Sequence, residues 1–279
     1  MKLPSVTLKQ LLEAGVHLGH KTLRWNPKMS KFIFGSKNSI HIIDLVQTLE
    51  LVNVALNEIH KCISSGGKIL FVSTKKQAAE TIANLAKDTS QFYVNHRWLG
   101  GMLTNWKTIS NSIKRLKKLT KDLKEENTGF TKKENLKMGI QRDKLERSLG
   151  GIADMKKLPN IIFIIDTNAE ELAVKESIRL NIPIVAIIDT NSDPTGINFP
   201  IPGNDDARRA INLYCELIKQ TILDAQKNIS KMDKEGLIDA KNNEPIKETK
   251  KEKIEIKKVK KNSKSVLSKA KSSITKKIK

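Results

Sequence analysis

Two histidines and two aspartates have the side chains and positions expected of ligands for a divalent metal. His17 and His20 stand three residues apart, Asp189 ends the apolar run 182–189, and Asp205 lies further along the chain. Imidazole and carboxylate groups are common zinc ligands, and open α/β sheets bind ligands at the carboxyl ends of their strands. A structural zinc is therefore the one cofactor hypothesis. Alternatively, these polar side chains only form hydrogen bonds that pack the N-terminal segment against a sheet.

Two short segments combine arginine, tryptophan, asparagine and glycine in a way that a hydrophobic core does not require. They are TLRWNPKM at 22–29 and NHRWLGGMLTNW at 95–106. The forked guanidinium of arginine pairs with phosphate, tryptophan can stack on an unpaired base, and glycine lets a backbone approach closely. For Arg24 and Arg97 we expect RNA contacts. For Trp98 we expect packing in a tight turn between a strand and a helix.

Motifs of nucleotide-binding and hydrolytic enzymes are missing from the sequence. The segment GVHLGHKT at 15–22 comes nearest to a P-loop, but only three residues separate its glycines and His20 separates the second glycine from the lysine. Neither a G-x-S-x-G elbow nor an H-E-x-x-H helix occurs. We predict no catalytic residue, no enzymatic activity and no small-molecule substrate. A nucleotide-using enzyme with a diverged phosphate loop is the alternative, although TKKQA at 74–78 lacks the glycine that close approach to a pyrophosphate favours.

Positive charge is concentrated in two parts of the chain. Of the formal net charge of +21, residues 231–279 contribute 17 lysines against 7 acidic residues, and residues 105–150 contribute 13 basic against 6 acidic residues. The remaining 184 residues carry only +4. Basic appendages on a nearly neutral body are typical of proteins that bind a polyanion, and nucleic acid is the obvious one. A free mRNA or DNA binder that uses the lysine-rich segment is therefore a second alternative.

Composition also disfavours several classes of protein. We expect no membrane partner, because the lysine-rich segment has no aromatic anchor and no run reaches the roughly 20 apolar residues of a membrane span. The start of the chain lacks the layout of a secretory signal, which predicts a cytoplasmic protein. Cys62 and Cys215 lie far apart, so we predict no disulfide framework.

From residue 230 onward apolar content is low, which predicts a disordered lysine-rich tail at 230–279.

The elements that must position these residues are apolar runs of strand length followed by stretches with helical spacing. Strands are predicted at 68–73, 91–95, 160–166 and 182–189. Helices are predicted at 48–65, 75–88, 169–180 and 205–229. Such repetition predicts a single α/β domain with a parallel sheet, formed by residues 1–104 and 151–229.

Residues 105–150 interrupt this pattern with two amphipathic stretches. Apolar residues recur at spacings of three and four from Trp106 to Leu123 and again from Leu136 to Leu149, with a polar break between them. Such stripes are typical of coiled coils, so we predict an antiparallel helical hairpin inserted in the α/β domain. An ordinary solvated surface is the alternative that accounts better for any single basic residue of the hairpin, whereas its net charge of +7 favours phosphate contacts.

Six motifs stand in order along residues 5–228: LLEAGVHLGHKTLRWNPKMSKFIFG, ILFVSTKKQA, FYVNHRWLGGMLTNW, LPNIIFIIDT, IPIVAIIDTNSDP and IPGNDDA. Together they closely resemble the bacterial small-subunit ribosomal protein number two, the "S-two" family. The resemblance implies a flavodoxin-like three-layer α/β/α domain, with a parallel sheet and an inserted antiparallel coiled-coil helical hairpin. The lysine-rich extension past about residue 230 has no counterpart in the family core.

The same resemblance implies a protein of the cytoplasmic ribosome that binds small-subunit ribosomal RNA. It also implies contacts with neighbouring small-subunit proteins, including the OB-fold ribosomal protein that captures mRNA and that this family helps to anchor. On this interpretation the function is architectural, because phosphate contacts fix the position of the protein and little base readout is needed. The residues that we expect to contact phosphate are Arg24, Lys28, Lys75, Lys76, Arg97, Lys107, Lys114, Arg115 and Lys118.

Overall fold

The structure is a computed structural model that describes residues 4–124 and 131–242 of the 279-residue chain. The chain divides into two compact units, Met1–Ile229 and Ser230–Lys279. The elements described below belong to the first unit, except for the end of the last helix. Among the described residues, no helix is both long and apolar enough to cross a membrane.

The N-terminal part of the chain contains a small antiparallel sheet that the hydropathy pattern does not predict. After helix α1 (Leu8–Glu13), its strands are β1 (Leu18–Lys21), β2 (Ile33–Lys37) and β3 (Ile40–Ile43), in the order β1-β3-β2. Asn38 and Ser39 join β2 to β3, and both have positive φ, as a two-residue type I′ turn requires. These strands are short and only partly buried, so they lack the apolar runs that mark the strands of a buried sheet.

Five parallel strands form the main sheet: β4 (Ile69–Val72), β5 (Phe92–Val94), β6 (Ile161–Ile165), β7 (Ile184–Ile188) and β8 (Phe199–Pro202). Their spatial order is β5-β4-β6-β7-β8, which is the flavodoxin-like arrangement. The four predicted strands are all present, and the predicted α/β fold class is confirmed. β8 was not predicted because it contains Pro200 and Pro202. Its position at the sheet edge is where a strand tolerates proline.

Helices cover both faces of the main sheet and give the fold three layers. The first face packs against α2 (Leu45–Ser64), α3 (Lys76–Asp88) and α7 (Arg208–Asn242), and the second against α4 (Trp106–Asp122) and α6 (Glu171–Arg179). Successive strand residues point to opposite faces, so Phe71 and Phe163 enter the first core while Leu70 and Ile162 enter the second. Burial on both faces explains why these strands are continuous apolar runs in the sequence.

Helix α5 (Lys132–Leu149) follows α4, so both helices of the predicted hairpin are present. The Arg115 side chain on α4 donates a 3.1 Å hydrogen bond to Gln141 on α5. α5 begins with a capping box, in which Thr131 and Glu134 each accept a hydrogen bond from the backbone N–H of the other. Of the predicted polar break at 125–131, residues 125–130 lie outside the described residues.

The apolar stripes of these two helices are buried to different extents. The stripe of α4 is buried at Ile109, Ile113 and Leu116. The stripe of α5 is fully buried only at Leu149, whereas Leu136 and Ile140 are 67% and 61% exposed. A coiled coil along the whole length of the hairpin therefore stays a prediction.

Two glycines in and after α5 lead to opposite predictions for alanine substitution. A Cβ atom at Gly151 would collide with the backbone oxygen of Tyr93 in β5, whereas one at Gly139 would meet nothing within 4 Å. We expect Gly151→Ala to lower the free energy of unfolding by about 1–3 kcal/mol through overpacking. We expect Gly139→Ala to raise it by about 0.5–1 kcal/mol, because alanine favours the helix. Urea denaturation measures both, and equal effects would contradict the packing of Gly151 against β5.

Helix α7 continues to Asn242, beyond the predicted helix at 205–229. It therefore includes the first residues of the segment that was predicted as a tail. Residues 243–279 lie outside the described part of the chain, so the predicted disorder of that segment stays a prediction, as does the domain division as a whole.

Candidate functional site

Eight of the nine cationic residues expected to contact phosphate are exposed. Two of the eight have polar partners: Lys28 Nζ lies 2.7 Å from Asp193 Oδ2, and Arg115 contacts Gln141. The other six form no ion pair with the described residues, so their charge is available to a phosphate. These six are Arg24, Lys76, Arg97, Lys107, Lys114 and Lys118.

Three of these cations form a lysine stripe along α4. Lys107, Lys114 and Lys118 lie within an arc of about 40° around the helix, because each residue advances by about 100°. The buried side chains of Ile109 and Ile113 point away from this arc and hold α4 against the core. At about 1.5 Å per residue, the stripe extends about 16 Å along the helix, which is long enough to meet more than one phosphate.

Arg97 precedes a loop that is held by a buried carboxylate, Glu176 on α6, which is 9% exposed. Glu176 accepts five hydrogen bonds of 2.8–3.2 Å, from the Trp98 indole, the backbone N–H groups of Gly101, Leu103 and Thr104, and the Thr104 hydroxyl. Burial raises the pKa of Glu176, but these donors outweigh burial and hold it below its ordinary value. Trp98 is buried, as its packing interpretation predicts. The loop held by Glu176 is therefore a rigid support for the exposed Arg97, which directly precedes it.

The segment TLRWNPKM crosses the carboxyl end of β7. The backbone N–H of Asn26 donates a 2.8 Å hydrogen bond to the carbonyl oxygen of Thr190. The Trp25 ring lies 5.3 Å from the His41 ring and the residue remains 39% exposed. Arg24 is exposed one residue before Trp25, so the segment offers phosphate a guanidinium and offers a base a partly open aromatic face.

Lys75, the ninth predicted cation, is surrounded by carboxylates at the carboxyl edge of the main sheet. Its Nζ lies 2.9 Å from Asp166 Oδ2, 2.8 Å from Asp205 Oδ1 and 2.6 Å from Asp206 Oδ1, and its side chain is 17% exposed. Burial lowers the pKa of Lys75, but the charge of Asp205 and these hydrogen bonds raise it overall. Because this ammonium already has three anionic partners, we leave Lys75 out of the proposed RNA contacts.

His20 and Asp189 complete this group, which we name the carboxylate cluster. His20 Nδ1 lies 2.7 Å from Asp189 Oδ2, and this hydrogen bond outweighs burial and raises the pKa of His20. His20 Nε2 lies 3.6 Å from Asp206 Oδ2. Burial and the nearby charge of Asp166 raise the pKa of Asp205 to about 7. The carboxylate cluster thus consists of Asp166, Asp189, Asp205 and Asp206 around Lys75 and His20.

The structure brings together three of the four predicted metal ligands. Ligand atoms of His20, Asp189 and Asp205 all lie within 4.8 Å of one another. His17 is not in this group, because the chain becomes extended just after it and successive residues of a strand point in opposite directions. One nitrogen and two carboxylate oxygens at this spacing are suited to bind a divalent cation.

The same edge is unsuited to a nucleotide. Flavodoxin-like sheets bind ligands where the strand order reverses, and here that point lies between β4 and β6. Lys75 follows β4 and Asp166 follows β6, so the carboxylate cluster occupies this edge with four carboxylates and one ammonium. Such a cluster repels phosphate, which gives no support to a nucleotide-using enzyme.

Three acidic residues of these sites were not predicted from the sequence. Asp166 ends the run NIIFIID as Asp189 ends IPIVAIID, so the pattern that identified Asp189 could also have identified Asp166. Asp166 also has a φ of 66°, a strained conformation found at functional sites. Asp206 simply follows Asp205. No pattern could have identified Glu176, because most of its partners are backbone N–H groups of a segment far away in sequence.

Comparisons with known proteins agree over most of the chain. The family model of ribosomal protein S2 matches residues 11–225. Small ribosomal subunit protein uS2 of Parvibaculum lavamentivorans is 57% identical over 224 residues, which is 80% of this chain and 88% of that protein. The uS2 proteins of Sinorhizobium medicae and Bartonella henselae are 58% and 59% identical over 80% of this chain, and the match covers 88% and 87% of those proteins.

Proposed function

The chain belongs to the ribosomal protein S2 family, and from this premise we propose that it binds small-subunit ribosomal RNA and helps to anchor the mRNA-capturing OB-fold ribosomal protein. The family is structural and not enzymatic, and the chain is a structural constituent of the small ribosomal subunit. Its place is therefore the cytoplasmic ribosome of a bacterium, where neighbouring small-subunit proteins are further proposed partners.

The lysine stripe of α4 is the observation that carries the RNA proposal. Lys107, Lys114 and Lys118 are exposed on a helix whose opposite side is buried, so their charge points outward at fixed spacing. A folded RNA also presents its phosphates at fixed positions, and a rigid row of cations matches such a surface without reading bases. Arg24 and Arg97 add guanidinium groups on two other exposed segments.

Exposed apolar residues on α5 support the proposed protein partner. Leu136 and Ile140 lie one helical turn apart and are 67% and 61% exposed. Apolar side chains that are exposed together favour contact with another protein, particularly in a chain that works inside an assembly. We therefore assign the anchoring of the mRNA-capturing protein to this face of α5.

Sucrose gradients of cell extracts test both parts of the proposal. We expect the tagged full-length chain and a variant that ends after Asn242, which keeps helix α7 intact, to migrate with the small subunit after a high-salt wash. A double Leu136→Ser, Ile140→Ser variant should still migrate there but should lower the amount of the mRNA-capturing protein in the same fraction. The matched control is Leu172→Ser, Ile178→Ser, because these residues on α6 are also exposed, at 54% and 45%.

Three outcomes would contradict the proposal. Absence of the full-length chain from the small subunit after the wash would favour a free mRNA or DNA binder outside any ribosome. Loss of only the shortened variant would show that residues 243–279 provide the binding. Equal loss of the mRNA-capturing protein in both serine variants would remove α5 as its anchoring surface.

A further inference from the structure

A groove lies at the amino ends of β4, β5 and β6, at the edge of the main sheet opposite to the carboxylate cluster. This amino-edge groove consists of two adjoining cavities of about 410 and 380 Å³, and Phe92 and Asp154 line both of them. Each volume falls in the range of small-ligand sites, which is roughly 300–1,000 Å³. The amino-edge groove therefore has room for more than one small planar group.

Part of the lining of the amino-edge groove is apolar. Phe92 is half-buried at the first position of β5, and Leu158 remains 38% exposed in the segment that leads to β6. An aromatic side chain that is open to solvent can stack on a nucleotide base, and stacking requires no particular base sequence. The apolar lining thus offers a binding surface to planar ligands.

Lysines surround these apolar side chains. Lys156 and Lys157, which we name the lysine pair, line the first cavity, and Lys87 lines the second. All three are exposed and form no ion pair with residues 4–124 or 131–242. Among the described residues that line the amino-edge groove, Asp154 is the one carboxylate, and its Oδ1 lies 3.0 Å from Lys117 Nζ. The groove therefore has positive charge available to an anion.

The backbone around the amino-edge groove is held in place by hydrogen bonds and burial. The backbone N–H of Lys68 donates a 3.0 Å hydrogen bond to Asn160 Oδ1, and the backbone N–H of Asn160 donates a 2.8 Å bond to the carbonyl oxygen of Lys68. Met155 and Pro159 flank the lysine pair and Leu158, and both are buried. The exposed side chains thus project from fixed points, which lowers the entropy lost when a ligand binds.

We propose that the amino-edge groove binds an unpaired segment of RNA, with bases against Phe92 and Leu158 and phosphates at the lysine pair. Basic grooves with an aromatic surface are typical of sites for single-stranded nucleic acid. An acidic peptide also fits the charge, but two cavities that share one phenylalanine suit successive planar bases better. The inference rests on the proposed RNA binding and adds to it a site of a different kind, because the lysine stripe meets only phosphates.

The amino-edge groove adjoins the lysine stripe of α4. Lys117, whose ammonium reaches Asp154 in the groove, follows Lys114 of the stripe by three residues on the same helix. Residues at this spacing are neighbours on a helix surface. RNA that follows the lysine stripe therefore passes close to the groove, and an unpaired segment of the same RNA can enter it.

Photo-cross-linking of the purified full-length chain tests the site directly. The probe is a uridine hexanucleotide that contains thiouridine, and mass spectrometry identifies the cross-linked peptides. We expect a cross-link at Phe92 or within residues 150–160, whether or not other segments also react. The yield of this cross-link as a function of RNA concentration gives the affinity of the amino-edge groove alone, separate from that of residues 243–279.

Variants of the two kinds of contact have different expected effects. Lys156→Gln, Lys157→Gln should weaken the affinity of the groove about tenfold or more near 0.1 M salt, and should make the log–log salt slope shallower by about 1.4, at about 0.7 for each phosphate. Phe92→Leu should weaken it about fivefold with an unchanged slope, because stacking releases no counterions. The matched control is Lys9→Gln, Lys175→Gln, because both lysines are exposed and line neither cavity, and it should keep the wild-type affinity and slope.

Circular dichroism confirms that each variant is folded, and the exposed lysine pair keeps the test decisive if Phe92→Leu fails to fold. Cross-links confined to other segments would overturn the proposal, as would equal slopes in the two lysine variants. Stronger binding of a hexaglutamate peptide, measured by competition with the RNA probe, would also overturn it and would assign the groove to an acidic protein segment.

The lysine stripe supplies the comparison that separates this inference from the proposed function. A chain with Lys107, Lys114 and Lys118 replaced by glutamine should keep the cross-link in the amino-edge groove while it binds small subunits more weakly. If the wild-type chain migrates with the small subunit but gives no cross-link in the groove, this inference alone fails.

Discussion

Glu176→Ala is expected to lower the free energy of unfolding by about 3 kcal/mol or more. The substitution leaves the Trp98 indole and the backbone N–H groups of Gly101, Leu103 and Thr104 without their common acceptor. Trp98 and Leu103 are buried, so water cannot replace the carboxylate at either of them without opening the loop. Urea denaturation followed by circular dichroism measures the change.

Glu171→Ala is the matched control, because Glu171 is an exposed carboxylate on the same helix whose one ion pair among the described residues is with Lys175. It should change the free energy of unfolding by no more than about 0.5 kcal/mol. Similar losses in the Glu171 and Glu176 variants would contradict the role of the buried hydrogen bonds.

The pH dependence of the free energy of unfolding tests the same carboxylate independently. The folded-state pKa of Glu176 lies below its ordinary value. Its contribution to the free energy of unfolding is therefore complete above the unfolded-state pKa of about 4.3, and it is lost as the pH falls through the folded-state pKa. The free energy of unfolding of Glu176→Gln should therefore differ from that of the wild type most at neutral pH and least in strong acid. A difference that grows as the pH falls would contradict this assignment.

The sequence predicted the main sheet well because burial on both faces produces an unmistakable pattern. Runs such as 161–165 and 184–188 are entirely apolar, and nothing but a buried strand or a buried helix explains them. β8 lacks this pattern because a strand at the sheet edge can contain Pro200 and Pro202, which argue against a strand in a local analysis. The predictions were therefore sound where local pattern and tertiary burial agree.

The site was less predictable because its geometry depends on contacts between distant segments. Lys75 was expected to contact phosphate, and its sequence neighbourhood gives no sign that Asp166, Asp205 and Asp206 surround it. The exposed lysines of α4 were easier to predict from the sequence, because helical periodicity alone separates the outer face of the helix from the buried one. Charge on a regular helix can thus be placed from sequence, whereas charge at a sheet edge requires the fold.

Binding of the wild-type chain to small subunits that lack it should weaken about a thousandfold between 50 and 200 mM salt. If roughly six of the exposed cations meet phosphates, each contributes about 0.7–0.9 to the log–log slope, which gives a slope near −5. Replacing Lys107, Lys114 and Lys118 by glutamine removes three such contacts while the helix and most of each side chain remain. The slope should then be shallower by about 2, and affinity near 0.1 M salt should fall about a hundredfold.

The control for this triple variant must remove the same charge from elsewhere on the surface. Lys9, Lys61 and Lys175 suit this purpose, because each is exposed and pairs with a glutamate three or four residues away on its own helix. Their triple glutamine variant should keep the wild-type slope, since counterions are released only where the protein meets phosphate. If both triple variants reduce the slope equally, net charge alone explains the binding and the lysine stripe has no special position on the RNA. A slope near zero in the wild type would remove the electrostatic mechanism altogether, because a surface that neutralises no phosphate has no counterions to release.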